Sequence, residues 1–138
     1  MPNINDIYDY YDSYLSRIYI KIKLLMCPFY KIESLVPKEG KIADLGCGIG
    51  LFSNILALTS GKRAIEGYDI AETRINTAKK SICKRENISF IVRDTREFSG
   101  PNYDAIVISD ALYLIPLADQ ASIVKNCFNS LKKMVSYW

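Results

Sequence analysis

Histidine is absent from this 138-residue chain. Without an imidazole, serine–histidine and cysteine–histidine nucleophilic chemistry is excluded, and so is a histidine general base. Cysteine is scarce: Cys27, Cys47, Cys83 and Cys127 are scattered with no CxxC pair. A zinc site would have to gather thiolates from four separate elements, so no metal site is expected and the cysteines read as small buried apolar residues or bystanders. Long hydrophobic runs are missing too. None approaches the roughly 18 residues of a membrane span. A net charge of +3 is too small to argue for a nucleic-acid partner by itself. No leader pattern opens the sequence, which makes the cytoplasm the expected location. The length suits one domain with a single core, and no internal repeat or low-complexity linker interrupts it.

What is present is organised around glycine. Residues 41–50 read KIADLGCGIG, a short strand ending in Asp44 and running into Gly46, Gly48 and Gly50. The apolar run LFSNILAL follows at once and reads as a helix. Glycines at this spacing permit a tight strand-to-helix turn, and they let a ligand lie against bare backbone beside the free N–H groups of a helix N-terminus. Two more acids close the next two strands, Asp69 and Asp94. A strand-end aspartate also serves to cap the following helix, yet here all three fall in register.

From Lys41 onward strands and helices alternate. Strands are predicted over 41–45, 64–69, 88–93 and 103–109, and helices over 50–60, 71–85 and 117–133. In the last helix Leu117, Ala121, Val124, Phe128 and Leu131 form one apolar stripe. Such alternation implies an α/β fold, a parallel sheet with helices on both faces, and the successive apolar residues of AIVIS suit a strand covered on both sides. The first thirty residues are rich in tyrosine. Apolar or aromatic residues at 8, 11, 15, 18, 22 and 25 predict a helix, with Asp6, Asp9 and Asp12 early and Arg17, Lys21 and Lys23 late, as the helix dipole favours; Pro28 ends it. This segment is expected to pack an aromatic stripe on the domain, with a lid over a ligand or a membrane-surface role for its basic part as alternatives.

The segments IADLGCGIG, IEGYDIA, FIVRD and YDAIVISDALYLIP resemble, in order, those of the class I S-adenosylmethionine-dependent methyltransferases, a Rossmann-like family, over roughly residues 37 to 131. The resemblance implies S-adenosylmethionine as cofactor and a domain over residues 37–138, preceded by a helical or lid segment over 1–36. It implies that Gly46, Cys47, Gly48 and Gly50 form the cofactor turn and that Asp44 sits near the cofactor's ammonium. Asp69, about twenty residues on, would accept both ribose hydroxyls. Ile70 would pack on adenine, and Asp94, with Thr95 beside it, would accept from the adenine amino group. Asp110 and Tyr113, at the carboxyl edge of the sheet, are the acceptor-side candidates for catalysis. Small-molecule members often carry histidine near Tyr113, so tyrosine here argues against an imidazole-based deprotonation and is equally a pocket wall.

Two other classes fit less well. A dinucleotide-binding turn would read GxGxxG, whereas the third glycine here comes one residue early. Methyltransferases acting on base amino groups usually carry (N/D)PP(Y/F) where this chain has SDALY. Methyl transfer to a small-molecule acceptor is therefore the expected function, with a non-catalytic cofactor-binding remnant, or a module completed by a partner chain, as the alternative.

The resembled domain has seven strands and this sequence supplies four, ending in LKKMVSYW where the family typically reads LKPGG and an apolar strand. The fourth strand is then expected to be a sheet edge, with self-association as a consequence. Back-translation suggests a one-base slip in an adenine run across Lys132, Lys133 and Met134, since restoring one adenine yields Lys-Lys-Asn-Gly and then apolar codons. Resequencing tests this hypothesis: an open frame with no continuing apolar strand would contradict it.

Overall fold

A computed structural model describes residues 4–83, 85–109 and 111–133. The ending on which the slip hypothesis rests, residues 134–138, and the candidate Asp110 lie outside the described residues.

Among the described residues four parallel strands form the sheet: β1 (Gly40–Leu45), β2 (Arg63–Asp69), β3 (Ile88–Val92) and β4 (Ala105–Val107), in the order β3-β2-β1-β4. Three helices precede it, α1 (Ile4–Tyr8), α2 (Tyr14–Met26) and α3 (Phe29–Leu35). Between and after the strands come α4 (Leu51–Thr59), α5 (Glu72–Ser81) and α6 (Leu117–Ser130), with short 3-10 turns at Thr95–Glu97 and Leu112–Leu114. Because side chains alternate across a strand, β1 feeds two cores. Ile42 joins the α4 and α5 side, while Ala43 and Leu45 join Tyr68, Phe98 and Tyr103 on the face covered by α6. The α/β sheet with helices on both faces is thus as the alternation implied.

The second-layer contacts explain how α3 reaches the sheet. The side chain of Arg63, fully buried at the start of β2, pairs with Glu33 of α3 at 2.8 Å. It also donates to the carbonyls of Val36 and Leu56 at 2.9 and 3.0 Å and to Thr59 Oγ1 at 2.7 Å. A buried guanidinium is tolerable only when its donors are met in this way.

Two expectations need correction. The amino-terminal helix is two helices: residues 9–13 leave the helical path, because Tyr11 turns inward and its hydroxyl donates to the Ile49 carbonyl at 2.9 Å while accepting from Asn54 Nδ2 at 2.9 Å. Asp9 and Asp12 consequently precede α2 instead of opening it. The stripe of α6 faces outward: Leu117, Val124 and Phe128 are 82%, 52% and 75% exposed, whereas Ile123 and Ser130 are buried. The carbonyl of Ser130 accepts from Tyr103 N at 2.9 Å, and the parallel bridge from Tyr103 to Leu131 fixes this rotation. Finally, the cysteines divide between the two readings: Cys27, Cys47 and Cys127 are half-buried against the cores, and Cys83 is an exposed bystander at φ 54°.

β4 is shorter than the predicted 103–109, and among the described residues its one strand partner is β1, with Leu131 bridging to Tyr103 just before it. Asp104, just before it, accepts from Lys41 N at 2.7 Å with its side chain, a contact that replaces a strand hydrogen bond.

Candidate functional site

The carboxyl ends of β1, β2 and β3 meet around the glycine turn. Gly46 N and Cys47 N both donate to the Tyr68 carbonyl, at 2.7 and 2.9 Å, which ties the turn to β2. Gly46, Gly48 and Gly50 have φ of 70°, 58° and 85°, the left-handed region open to glycine without penalty. Their surroundings differ. A Cβ on Gly46 would lie 2.2 Å from that of Ala111, one on Gly50 would strike the Phe90 ring at 2.5 Å, and one on Gly48 meets nothing within 4 Å. Gly50 therefore serves the packing of α4 on β3, while Gly48 presents bare backbone to open space.

Asp69 holds the turn from the neighbouring strand. Its Oδ2 accepts from Gly48 N at 3.0 Å and its Oδ1 from Ala71 N at 2.8 Å, with Arg74 Nη1 3.8 Å away. Each oxygen keeps a second lone pair for a further donor. Asp44 lies beneath the turn, fully buried, with Oδ2 accepting from Ser53 Oγ at 2.6 Å and Oδ1 without a partner. Burial pushes its carboxyl up to about 7, and the Asp69 charge adds to the rise against the pull of Ser53. Burial, with both carboxylates nearby, also pushes the Cys47 thiol far up, so it stays protonated and inert as a nucleophile.

Asp94 caps the first 3-10 turn, accepting from Arg96 N at 2.9 Å, and its carboxylate is gripped by the Arg96 side chain, with Nη2 at 2.6 Å from Oδ2. These bonds hold Asp94 below its ordinary carboxylate range.

Two cavities open on this edge. One of about 360 Å³ is lined by Gly46, Asp69, Ile70, Asp94, Thr95 and Arg96, among others. The other, of about 460 Å³, lies between the turn (Gly46, Cys47, Gly48, Ile49), Ser109 and Tyr113 on one side and α2 on the other, through Leu15, Ser16, Tyr19 and Lys23. Gly46, Arg74 and Leu114 line both, so the cavities adjoin at the turn. The structure brings Asp69, Ile70, Asp94 and Thr95 together at the smaller cavity, and Cys47, Gly48 and Tyr113 at the larger. Asp44 and Gly50 line neither. The sequence reading missed Arg74, Arg96 and Lys23. Arg74 stands in the first turn of α5, five residues beyond Asp69, and Arg96 two residues beyond Asp94, spacings at which a cation reaches a strand-end acid. Among the described residues no cluster of three potential metal ligands exists.

The sequence profile described as a methyltransferase domain matches residues 42–134. YqeM of Bacillus subtilis is 33% identical over 105 residues, covering 73% of this chain and 42% of that protein. The solved structure of the PH0226 protein from Pyrococcus horikoshii superposes with a TM-score of 0.66 at 28% identity, over 89% of this chain and 57% of that one. That of PKMT2 from Rickettsia typhi in complex with AdoHcy superposes with a TM-score of 0.63 at 25% identity, over 69% of this chain and 19% of that one. The chain thus spans about half, or less, of the length of the proteins it matches. With the profile covering most of its length and the three strand-end acids set around the glycine turn, the chain belongs to the class I S-adenosylmethionine-dependent methyltransferases.

Proposed function

We propose that this chain binds S-adenosylmethionine along the carboxyl edge of β1–β3 and transfers its methyl group to a small-molecule acceptor held in the larger cavity. The observation that carries the reading is the pair of adjoining cavities joined at Gly46, one walled by strand-end carboxylates and the other by aromatic and aliphatic side chains. The residues present suit the cofactor. Gly48 leaves open space above its backbone, Asp69 has lone pairs to spare for two hydroxyls, and Asp44 has an unpartnered oxygen beneath the turn. The PKMT2 complex with AdoHcy supports the assignment. When bound, the cofactor supplies an already activated methyl group on a sulfonium.

The protein's part is then mostly positioning, since in-line approach of a nucleophile can supply the greater share of the rate enhancement. Gly46 and Gly48 admit the ligand to the backbone; Asp69 orients the ribose; Ile70 and Thr95 bracket the base. Asp94 accepts from the adenine amino group while sharing its carboxylate with Arg96. On the acceptor side, Tyr19 from α2 and Tyr113 from the second 3-10 turn form facing walls, with α2 as the lid. Asp110 follows the cavity residue Ser109 and remains with Tyr113 as the acceptor-side pair. Lys23 and Arg74 line this cavity, and these cations favour a neutral or anionic acceptor over a cationic one. A cytoplasmic location is consistent with four cysteines that form no disulfide.

A screen of small acceptors for production of S-adenosylhomocysteine tests this reading. Turnover with neutral or anionic acceptors, with KM raised roughly tenfold in Tyr19→Ala, is expected. Preference for a cationic acceptor would contradict the assignment of the larger cavity. The second reading, a cofactor-binding module completed by another chain, is favoured by the single strand partner of β4 among the described residues and by the outward stripe of α6. Cofactor binding without turnover, with turnover restored by a partner, would select it.

A further inference from the structure

Apart from Tyr19 and Leu15 at the cavity wall, the exposed face of α2 has no role in the reading above. Tyr14, Leu15, Leu25 and Met26 are 77%, 76%, 82% and 76% exposed, and Ile18, Tyr19 and Ile22 are between 39% and 49% exposed. At 100° per residue these seven side chains fall within an arc of roughly 140°, on one side of the helix. The opposite side is the one that packs on the protein, through Ile20, fully buried, and Leu24. Cations border the apolar arc on both flanks: Arg17 and Lys21, both exposed, on one, and Lys23, 5.7 Å from the Tyr19 ring, on the other. No acid occurs from Ser13 to Ile32, a stretch that carries Arg17, Lys21, Lys23 and Lys31 within a chain of net charge +3.

From this arrangement we infer that α2 is an interfacial helix, docking the protein on an anionic lipid surface. A helix fixed to the domain by one face and presenting a broad apolar face edged by lysine and arginine is suited to lie in the plane of a bilayer. Its apolar residues would sit at the acyl boundary and its cations among the headgroups. Tyr14 and Tyr19 supply the amphipathic rings that such interfaces favour. Charge decides between occupants. A second copy packed face to face would bring Arg17, Lys21 and Lys23 against the same cations, whereas an anionic bilayer complements them. Among the described residues no helix is long and apolar enough to cross a membrane; the inferred attachment is through the face of α2. Leu15 and Tyr19 belong to both the exposed face and the wall of the larger cavity, so docking would hold that cavity's rim close to the lipid surface.

Vesicle flotation of the 138-residue protein tests the inference, comparing phosphatidylcholine alone with an equal mixture of phosphatidylcholine and phosphatidylglycerol. Binding to the mixed vesicles, weak binding to the neutral ones and loss of binding at high salt are expected. Lys21→Glu should weaken binding by roughly fivefold or more, and the double variant Ile22→Asp, Leu25→Asp should abolish it. These residues line neither cavity, so S-adenosylhomocysteine affinity, unchanged in both variants, serves as the check on folding. Failure of a folded protein to float with either vesicle would overturn the inference, as would equal binding to both that Lys21→Glu leaves intact. A dimer in vesicle-free buffer that the double variant dissolves, without flotation, would assign the face to a second copy instead.

Discussion

The two β-to-α passages that frame the candidate site are built differently. Along β1 and α4, every residue from Ile42 to Leu45 and from Leu51 to Ala57 is buried, including Ser53 and Asn54. Along β4 and α6, no strand residue is fully buried, and the helix buries only Ile123 and Ser130 while Leu117, Val124 and Phe128 face outward. The β1–α4 passage, proposed to cradle the cofactor, is the more closely packed of the two. Among the described residues the β4–α6 passage is loosely covered and carries spare apolar surface. Stability and cofactor affinity should therefore depend on the first passage, with the second free to change.

Substitutions can break that contrast in order of their expected effect. Arg63→Leu leaves buried Glu33 with the more exposed Lys38 in place of its buried partner and strands the Val36 and Leu56 carbonyls, and should cost about 4 kcal/mol in urea unfolding. Ile55→Ala, in the fully buried α4, should cost about 3 kcal/mol; Phe128→Ala on α6 should change stability by less than about 0.5 kcal/mol by the same measurement. A large cost at Phe128 would mean the outward stripe is covered. Within the turn, Gly46→Ala meets both a positive φ and the Ala111 side chain, and should weaken S-adenosylhomocysteine about a hundredfold by calorimetry; Gly48→Ala faces only the φ penalty and should lose about tenfold.

Asp44 gives the most specific effect. Its carboxyl, near 7 in the folded chain against an ordinary value near 3.8, binds a proton more readily folded than unfolded. This contribution is fully present below the unfolded value and is lost as pH rises toward 7. The thermal midpoint of the wild type relative to Asp44→Asn should fall across that window. A difference that rises with pH would show that the buried carboxylate is charged and compensated.

The legible parts were those fixed locally. Positive φ at Gly46 and Gly48, and acids at the ends of three successive parallel strands, follow from short stretches whose neighbours are set by the sheet register. The four-strand parallel sheet was legible for the same reason. What escaped depends on contacts distant in sequence. The break between α1 and α2 is imposed by Tyr11 reaching the Ile49 carbonyl, 38 residues away. The rotation of α6 is fixed by its carboxyl end against Tyr103, which no periodicity within the helix encodes. Asp94 was legible as a strand-end acid, but its engagement by Arg96 was not, since that requires the 3-10 turn.

The glycine turn and Asp69 are proposed to act together as a cofactor cradle. Calorimetric titration of the 138-residue chain with S-adenosylhomocysteine, beside Asp69→Ala, tests this most directly. Binding at one site by the wild type, lost in a variant that remains folded, is the predicted result. Equal affinity in the two, or no binding by a folded wild type, would contradict it.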